Sequence, residues 1–336
     1  MSTDTMRAVR LHEYGGPEVL RYDEVPVPQP GPGEVLVRVH AVGVNPPDWY
    51  LRGGLDRVPG SDSTVSLPVT PGTDVSGVVK AVAEDVDGFA VGDEVFGLLR
   101  FPGFDGRAYA EYVAARASDL AHKPAGVDHV RAAGTPMAGL TAWQFLIDLG
   151  HGIPSPFQEE LHRPTALDAD STVLVNGAAG GVGHFALQLA KWKGARVVAV
   201  ASGAHESFLN ELGADQFIDY TKNRPEDLVN DLDVVLDTVG GPDSRRLLYT
   251  LKRGGSHFPV FPGEFDEEET AKLGVTISTA QVRSSGAQLA ELGRLIEAGT
   301  VRVAIDSTFP LAEARAAHER AARGHIQGKI VLTVAQ

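Results

Sequence analysis

Cysteine is absent from all 336 residues. Disulfides, thiol catalysis and every cysteine-based zinc or iron–sulfur site are thereby excluded. Positive charge is in short supply: 30 Lys and Arg stand against 44 Asp and Glu, a net charge of −14. That balance argues against general nucleic-acid binding, which needs a basic face to release counterions. Long apolar runs are missing too. No stretch approaches the roughly 18 residues of a membrane span, and the opening MSTDTMRAVR has no apolar signal core. The default expectation is a cytoplasmic protein with neither membrane nor nucleic acid among its partners. The rest of the composition is ordinary for a globular chain, 43% hydrophobic and 22% charged, with 38 glycines whose placement is informative.

The first 130 or so residues read as strands and turns. Val35–Val44 alternates and is β-branched, after a turn-rich stretch where Pro26, Pro28, Pro30 and Pro32 forbid helix. Val75–Val82 and Glu94–Leu98 are further strands, and this spacing suggests a small barrel or sandwich. Near Val130 the pattern changes. His129–Leu149 has helical spacing with Pro136 as a break, and His151–Asp170 is an irregular link. Strands at Thr172–Asn176, Arg196–Ala201, Gln216–Ile218 and Asp233–Leu236 then alternate with helices at Val182–Trp192 and His205–Leu212. Such alternation indicates βαβ units on a parallel sheet, hence an α/β fold. Helices at Ala287–Ala298 and Leu311–Arg323 and a strand at Lys329–Val334 close the chain. The acidic run Glu264–Thr270 reads as a solvated loop or helix start.

Residues 173–183, VLVNGAAGGVG, carry an apolar strand into a glycine-rich turn and on into an amphipathic helix. This is the context that a dinucleotide fingerprint requires. Its three glycine positions fall on Ala178, Gly180 and Gly183, so the first is alanine, tolerable only at negative φ. Gly180 lets backbone approach a pyrophosphate, and Gly183 lets the helix pack on the sheet. Ala179, Gly180, Gly181, Val182 and Gly183 are the candidate phosphate cradle, which uses main-chain dipoles and so lets an acidic protein hold an anion. The second strand ends Val200-Ala201-Ser202-Gly203, without the carboxylate that NAD sites use for the ribose 2′-hydroxyl. Ser202, His205 and Tyr220 are therefore candidates for a 2′-phosphate, and NADPH (NADP+) is the expected cofactor.

Beyond this turn, a series of segments resembles the zinc-free quinone oxidoreductase branch of the medium-chain dehydrogenase/reductase superfamily, along nearly the whole chain. Among them are Gly43-Val44-Asn45-Pro46-Pro47-Asp48, Pro71-Gly72-Thr73-Asp74, Tyr109-Ala110-Glu111-Tyr112, Gly139-Leu140-Thr141-Ala142-Trp143, Asp237-Thr238-Val239-Gly240-Gly241 and Gly328-Lys329-Ile330-Val331-Leu332. The resemblance implies a GroES-like β-barrel catalytic domain from residues 1–130 and 302–336. An inserted Rossmann domain, a doubly wound parallel sheet over 131–301, and an active site in the cleft are also implied. Where zinc-dependent relatives carry a metal cysteine this chain has Asn45, and where they have Gly-His-Glu it has Gly72-Thr73-Asp74. No metal site is expected.

The activity implied is metal-free hydride transfer to a quinone or a carbonyl-conjugated alkene. Asn45 would then lie near nicotinamide and substrate with its amide donating, and Tyr50 would donate a hydrogen bond or proton. Thr141 matches a threonine at the nicotinamide, and Val239 and Val260 complete the expected cofactor site. Asp48 is expected to orient its loop. The usual Lys or Arg at the 2′-phosphate is replaced by Ala204-His205. The link at 151–170 and the polar loop Gly60–Ser66 leave the substrate open. Two alternatives remain: an enoyl or enone reductase of a biosynthetic pathway, and a catalytically silent cofactor-binding protein. Homodimer formation is expected through an edge strand at Val275–Thr279.

Overall fold

The computed structural model describes residues 4–54, 65–155, 161–261 and 263–334. The polar loop expected at Gly60–Ser66 thus lies outside the described residues up to Thr64, as do residues 156–160 of the long link. The chain divides into two compact units: Met1–Leu140 with Val282–Gly299 and Val303–Gln336, and Thr141–Gln281 with Thr300–Arg302.

The first unit opens with an antiparallel pair, β1 (Thr5–Leu11) and β2 (Leu20–Pro26). Then come β3 (Glu34–Gly43), α1 (Pro46–Gly53), β4 (Asp74–Val82), β5 (Glu94–Leu98), β6 (Tyr112–Arg116), β7 (Leu120–His122) and α2 (His129–Ala133). Helix α3 (Pro136–Leu146) begins at the proline expected to interrupt the helical run, and the division between the units falls inside it. Helix α1 was not anticipated in a stretch that reads as strands and turns. It starts on two prolines because its first position has no intrahelical N–H bond to lose. Period-two alternation on β3 sends Val35, Val37 and Val39 into a valine-rich core with Val75, Val79, Val95 and Val113.

The second unit carries β8 (Thr172–Asn176), α4 (Gly181–Trp192), β9 (Arg196–Ala201), α5 (Glu206–Glu211), β10 (Gln216–Asp219), β11 (Leu232–Asp237), β12 (Leu251–Pro259), α6 (Glu267–Leu273) and β13 (Thr276–Ile277). The strands form one six-stranded sheet in the order β10-β9-β8-β11-β12-β13, every neighbour parallel. This is the doubly wound 3-2-1-4-5-6 arrangement, with its reversal point between β8 and β11. The acidic run is the start of α6: Asp266 accepts from the Glu269 N–H and Glu267, Glu268 and Glu269 fill the first turn, where negative charge suits the helix dipole. The edge strand expected at Val275–Thr279 is shorter, only Thr276–Ile277. Beyond it the Ser278 N–H makes one more bond, to the His257 carbonyl at 2.9 Å, and its buried hydroxyl meets His151 at 2.9 Å.

The last segments return to the first unit as α7 (Gly286–Glu297), β14 (Ile305–Pro310), α8 (Ala314–Ala322) and β15 (Lys329–Thr333). Residues 282–299, which the sequence places with the nucleotide-binding part, join the first unit. The reason is close contact: a Cβ at Gly286 would fall 2.1 Å from the Leu120 carbonyl, and Ser284 bonds Phe101. Residues 300–302 stay with the second unit, where the Arg302 N–H and C=O both bond the Gln188 amide at 2.7 and 3.0 Å. The seven-stranded sheet runs β14-β15-β3-β4-β5-β7, with β6 on β3. The final strand has no obvious local partner in the sequence, yet it pairs in parallel with β14, α8 serving as the crossover, as well as antiparallel with β3.

Candidate functional site

Two polar centres emerge, one in each unit. In the second unit, parallel strands bring their carboxyl ends to one edge of the sheet. The glycine turn after β8, Ser202 and His205 after β9, Tyr220 after β10, Val239 after β11 and Val260 after β12 all lie along that edge. The turn's left-handed residue is Gly177, at φ 74°, one place before Ala178, whose φ is not positive. Alanine at the first fingerprint position is thus tolerated because its neighbour makes the turn. Gly183 is needed for another reason: a Cβ there would lie 2.2 Å from the Gly177 carbonyl. Gly180 is the N-cap of α4 and brings no capping side chain. The N–H groups of Gly181, Val182 and Gly183 therefore stay available at the positive end of a 12-residue helix. A main-chain cradle with so little side-chain bulk fits a dinucleotide pyrophosphate.

The reversal point is stitched by side chains that the sequence reading missed. Asp237, fully buried, accepts from Asn176 Nδ2 at 2.8 Å and from the Val239 and Gly240 N–H groups at 3.0 and 3.1 Å. It also accepts from the Ser244 hydroxyl. These bonds fix the loop that presents Val239, 58% exposed, and the Val260 N–H holds the Asp237 carbonyl at 2.9 Å. Tyr220 is half exposed, and Thr141 is buried in α3 rather than at a strand end.

Near the end of β9, where the sequence offers no Lys or Arg, the fold brings in a cation from the end of β10. Lys222 Nζ lies 3.8 Å from where a Gly203 side chain would begin, and 3.1 Å from Asp219 Oδ2. Asp219 accepts from the Thr221 hydroxyl and N–H as well as pairing with Lys222, which holds its pKa down at about 2. Lys222 is 19 positions past Gly203, and the pairing of β9 with β10 brings the two close.

In the first unit the polar centre is built from side chains. Asn45 caps α1 and is buried. Its amide donates to the Gly43 carbonyl at 3.3 Å and to Asp74 Oδ2 at 2.9 Å, and its oxygen accepts from Lys329 Nζ. Both amide hydrogens are thus engaged within the protein. Lys329 also donates to the Val44 carbonyl at 3.0 Å. Asp74 accepts from the Met137 N–H at 2.8 Å, in the first turn of α3. Asp48 accepts from the N–H groups of Asn45 and Gly72 at 2.8 and 3.1 Å, so it ties the start of α1 to the Gly72–Asp74 segment. Burial raises the pKa of Asp48 to about 7 and of Asp74 to about 6, and lowers that of Lys329. Tyr50 lies on α1, half-buried beside Leu11, Val19, Leu51 and Val69, and burial raises its pKa. Trp49 packs against the valine core. Among the described residues no three His, Asp or Glu side chains converge with metal-holding geometry. Tyr109 and Lys329 each stand in a quoted motif, the only signal that marked them beforehand.

With this geometry in hand the relatives are informative. A zinc-binding dehydrogenase family model matches residues 212–332, and an alcohol dehydrogenase GroES-like domain model matches 31–125. The chain is 33% identical to the mitochondrial NAD(P)H oxidoreductase RTN4IP1 of Mus musculus, over 98% of this chain and 89% of that protein. It is 32% identical to a chloroplastic quinone oxidoreductase of Triphysaria versicolor, over 99% of each. The solved quinone oxidoreductase of Coxiella burnetii superposes with a TM-score of 0.83 at 30% identity, covering 99% of this chain and 100% of that one. The chain belongs to the medium-chain dehydrogenase/reductase superfamily, as a quinone oxidoreductase-like protein. This member is an NAD(P)H-dependent oxidoreductase with a GroES-like domain and a Rossmann-like parallel sheet. Among the described residues no helix is long and apolar enough to cross a membrane.

Proposed function

We propose that this oxidoreductase prefers NADPH and passes its hydride to a quinone or a carbonyl-conjugated alkene without a metal ion. The observation that carries the reading is the uncapped α4 N-terminus at the sheet's reversal point. Gly181, Val182 and Gly183, with Ala179 and Gly180 leading in, would hold the pyrophosphate. Ser202, His205 and Lys222 would hold the 2′-phosphate, with Tyr220 over it. Thr141, Val239 and Val260 would hold the nicotinamide end. When bound, the reduced nicotinamide supplies the hydride. An acceptor of this class needs little electrophilic help, so the residues mainly position it and manage a proton. Tyr50, whose hydroxyl stays protonated at neutral pH, is the proposed donor to the acceptor oxygen. Asn45 acts by holding Asp74 and Lys329 in place rather than by lending its amide to the substrate. The Lys329 ammonium already sits on the Asn45 oxygen, which supports chemistry that needs no added cation there.

A coenzyme-oxidation screen of chelator-treated enzyme against quinones, enones and aldehydes tests this. The expected result is turnover of quinones or enones, with KM for NADPH about tenfold below that for NADH, as a charge-assisted phosphate contact warrants. A lower KM for NADH overturns the preference, and loss of activity on chelation overturns the metal-free step. Enone turnover without quinone turnover selects the biosynthetic reductase, and coenzyme binding with no turnover at all selects the silent binding protein. Asn45→Ala and Tyr50→Phe both at full turnover would remove these residues from the site. Homodimer formation through the open edge of β13 and a cytoplasmic location belong to the same reading; light scattering and fractionation check them.

A further inference from the structure

Asp48 and Arg52 stand one turn apart on α1, and each reaches one end of the same pair of buried rings. Tyr109 Oη lies 3.2 Å from Asp48 Oδ2 and 3.1 Å from His318 Nε2, and His318 Nδ1 lies 2.9 Å from Arg52 Nη1. The rings of Tyr109 and His318 meet edge-on at 5.9 Å, and both are buried. Arg52 is further fixed by its Nε on the Gly15 carbonyl at 3.1 Å.

The direction of these bonds follows from the donor inventory. Arginine can only donate, so His318 Nδ1 must accept, which places the single imidazole proton on Nε2. That proton goes to the Tyr109 oxygen, and the phenol hydrogen is left for Asp48. Asp48 therefore faces donors on every side: Asn45 N–H, Gly72 N–H and Tyr109 O–H. A proton on this carboxyl would have to displace the Tyr109 O–H from it, leaving the phenol hydrogen without its partner. Protons cannot run along the chain either, because its outer end is a guanidinium that does not release one.

We propose that Tyr109, His318 and Arg52 are positioning residues: their one-way hydrogen-bond chain favours the carboxylate form of Asp48 against its burial, and that carboxylate fixes the start of the helix that Asn45 caps and that bears Tyr50. The consequence for turnover rests on the proposed roles of Asn45 and Tyr50; the chain itself does not. The other charged groups facing Asp48 are Asp74, which opposes its ionisation, and Lys329, which favours it. Glu18 and Tyr109 face Arg52. Burial, then Arg52, lowers the His318 pKa to about 3, consistent with a neutral ring.

Nitrogen-15 NMR of His318 and carbon-13 NMR of the Asp48 carboxyl, in the full-length protein, test the chain independently of activity. In the wild type His318 should be neutral and carry its proton on Nε2 at pH 7. Tyr109→Phe keeps the packing and removes one donor, so the Asp48 titration should move up by about one pH unit. The acid limb of kcat/KM should move with it, and KM for NADPH should not change. Arg52→Met frees the outer end, and His318 should then show both tautomers, a readout that holds even if Tyr109→Phe folds poorly. A charged or Nδ1-protonated His318 at pH 7, or an unmoved Asp48 titration in folded Tyr109→Phe, overturns the proposal. If no acceptor is turned over, the functional reading fails while the two NMR results still decide the chain.

Discussion

The strand ends around β8 and β11 use main chain to offer a binding surface, whereas the centre around Asn45 uses side chains to bury charge. In the first, Gly177–Gly183 matters for what it lacks: side chains that would fill the cradle or push α4 off the turn. In the second, Asn45, Asp48, Asp74 and Lys329 are each buried and each hydrogen-bonded, and removing any one leaves another unpaired. A backbone site is sensitive to added volume and indifferent to charge, while a side-chain site is the reverse.

Four substitutions, two of them with a companion variant, sharpen or break that contrast. The largest effect is expected from Gly183→Val, whose Cβ would sit 2.2 Å from the Gly177 carbonyl and 2.7 Å from Ala178 Cα. Overpacking against backbone costs about 3 kcal/mol or more. Calorimetry should find coenzyme binding lost and thermal scanning a clear fall in Tm. Gly180→Ala, whose Cβ meets nothing nearer than 3.3 Å within the protein, should keep a Tm close to wild type and lose only coenzyme affinity, because its methyl enters the cradle and not the packing. Equal damage from both would undo the close-packing account.

Next is Lys329→Met, which leaves Asp48 and Asp74 without their cation. Breaking such a buried set costs about 3–5 kcal/mol, measurable by urea unfolding at pH 8. Both carboxyls have raised folded pKa values, about 7 and about 6. Their stabilising contribution is therefore full below about pH 4 and lost as pH rises through 6 to 7. The variant should thus be least damaged near pH 5, and Asp74→Asn should restore part of the loss at pH 8. A deficit independent of pH would mean that the lysine stem matters and its charge does not.

Lys222→Ala comes third, on an exposed cation. KM for NADPH should rise about three- to tenfold and KM for NADH stay put, with a difference that shrinks as salt screens the contact. Parallel changes in both would take Lys222 out of the phosphate site. The smallest effect is His257→Leu. Its imidazole is fully buried, Nδ1 has no partner, and burial holds the pKa at about 4. A depressed histidine contributes stability above its unfolded value of about 6.5 that is lost as pH falls toward 4. The variant should show a flatter decline over that window in urea midpoints, with little change at pH 7. Identical slopes would mean that the ring is already charged.

Much of the second unit was legible because its information is local. The strand VLVN, the glycine turn and the amphipathic helix are consecutive, and Arg196–Ala201 and Thr172–Asn176 appear at the residues expected. Less of the first unit was. β14 is half-exposed and polar, so IDSTFP does not resemble a core strand, and α1 opens on prolines that read as turn. VTIST looks like a longer edge strand than it is: the strand is Thr276–Ile277, and nothing in its alternation marks where pairing stops.

Composition and short-range pattern by themselves determined the α/β class, the parallel sheet, the glycine turn and the candidate residues on it, and the resemblance of its segments pointed to the family. A helix start and a glycine bend are made by neighbours in the chain. Tertiary structure alone decided that the Asn45 amide is engaged, that Lys222 stands beside Gly203, and that Asp48, Tyr109 and His318 join. Asn45 and Lys329 are 284 positions apart, and only β15 pairing with β3 brings them into contact. Hydrogen bonds depend on distance in space, and no local pattern in the chain records which remote side chain completes them.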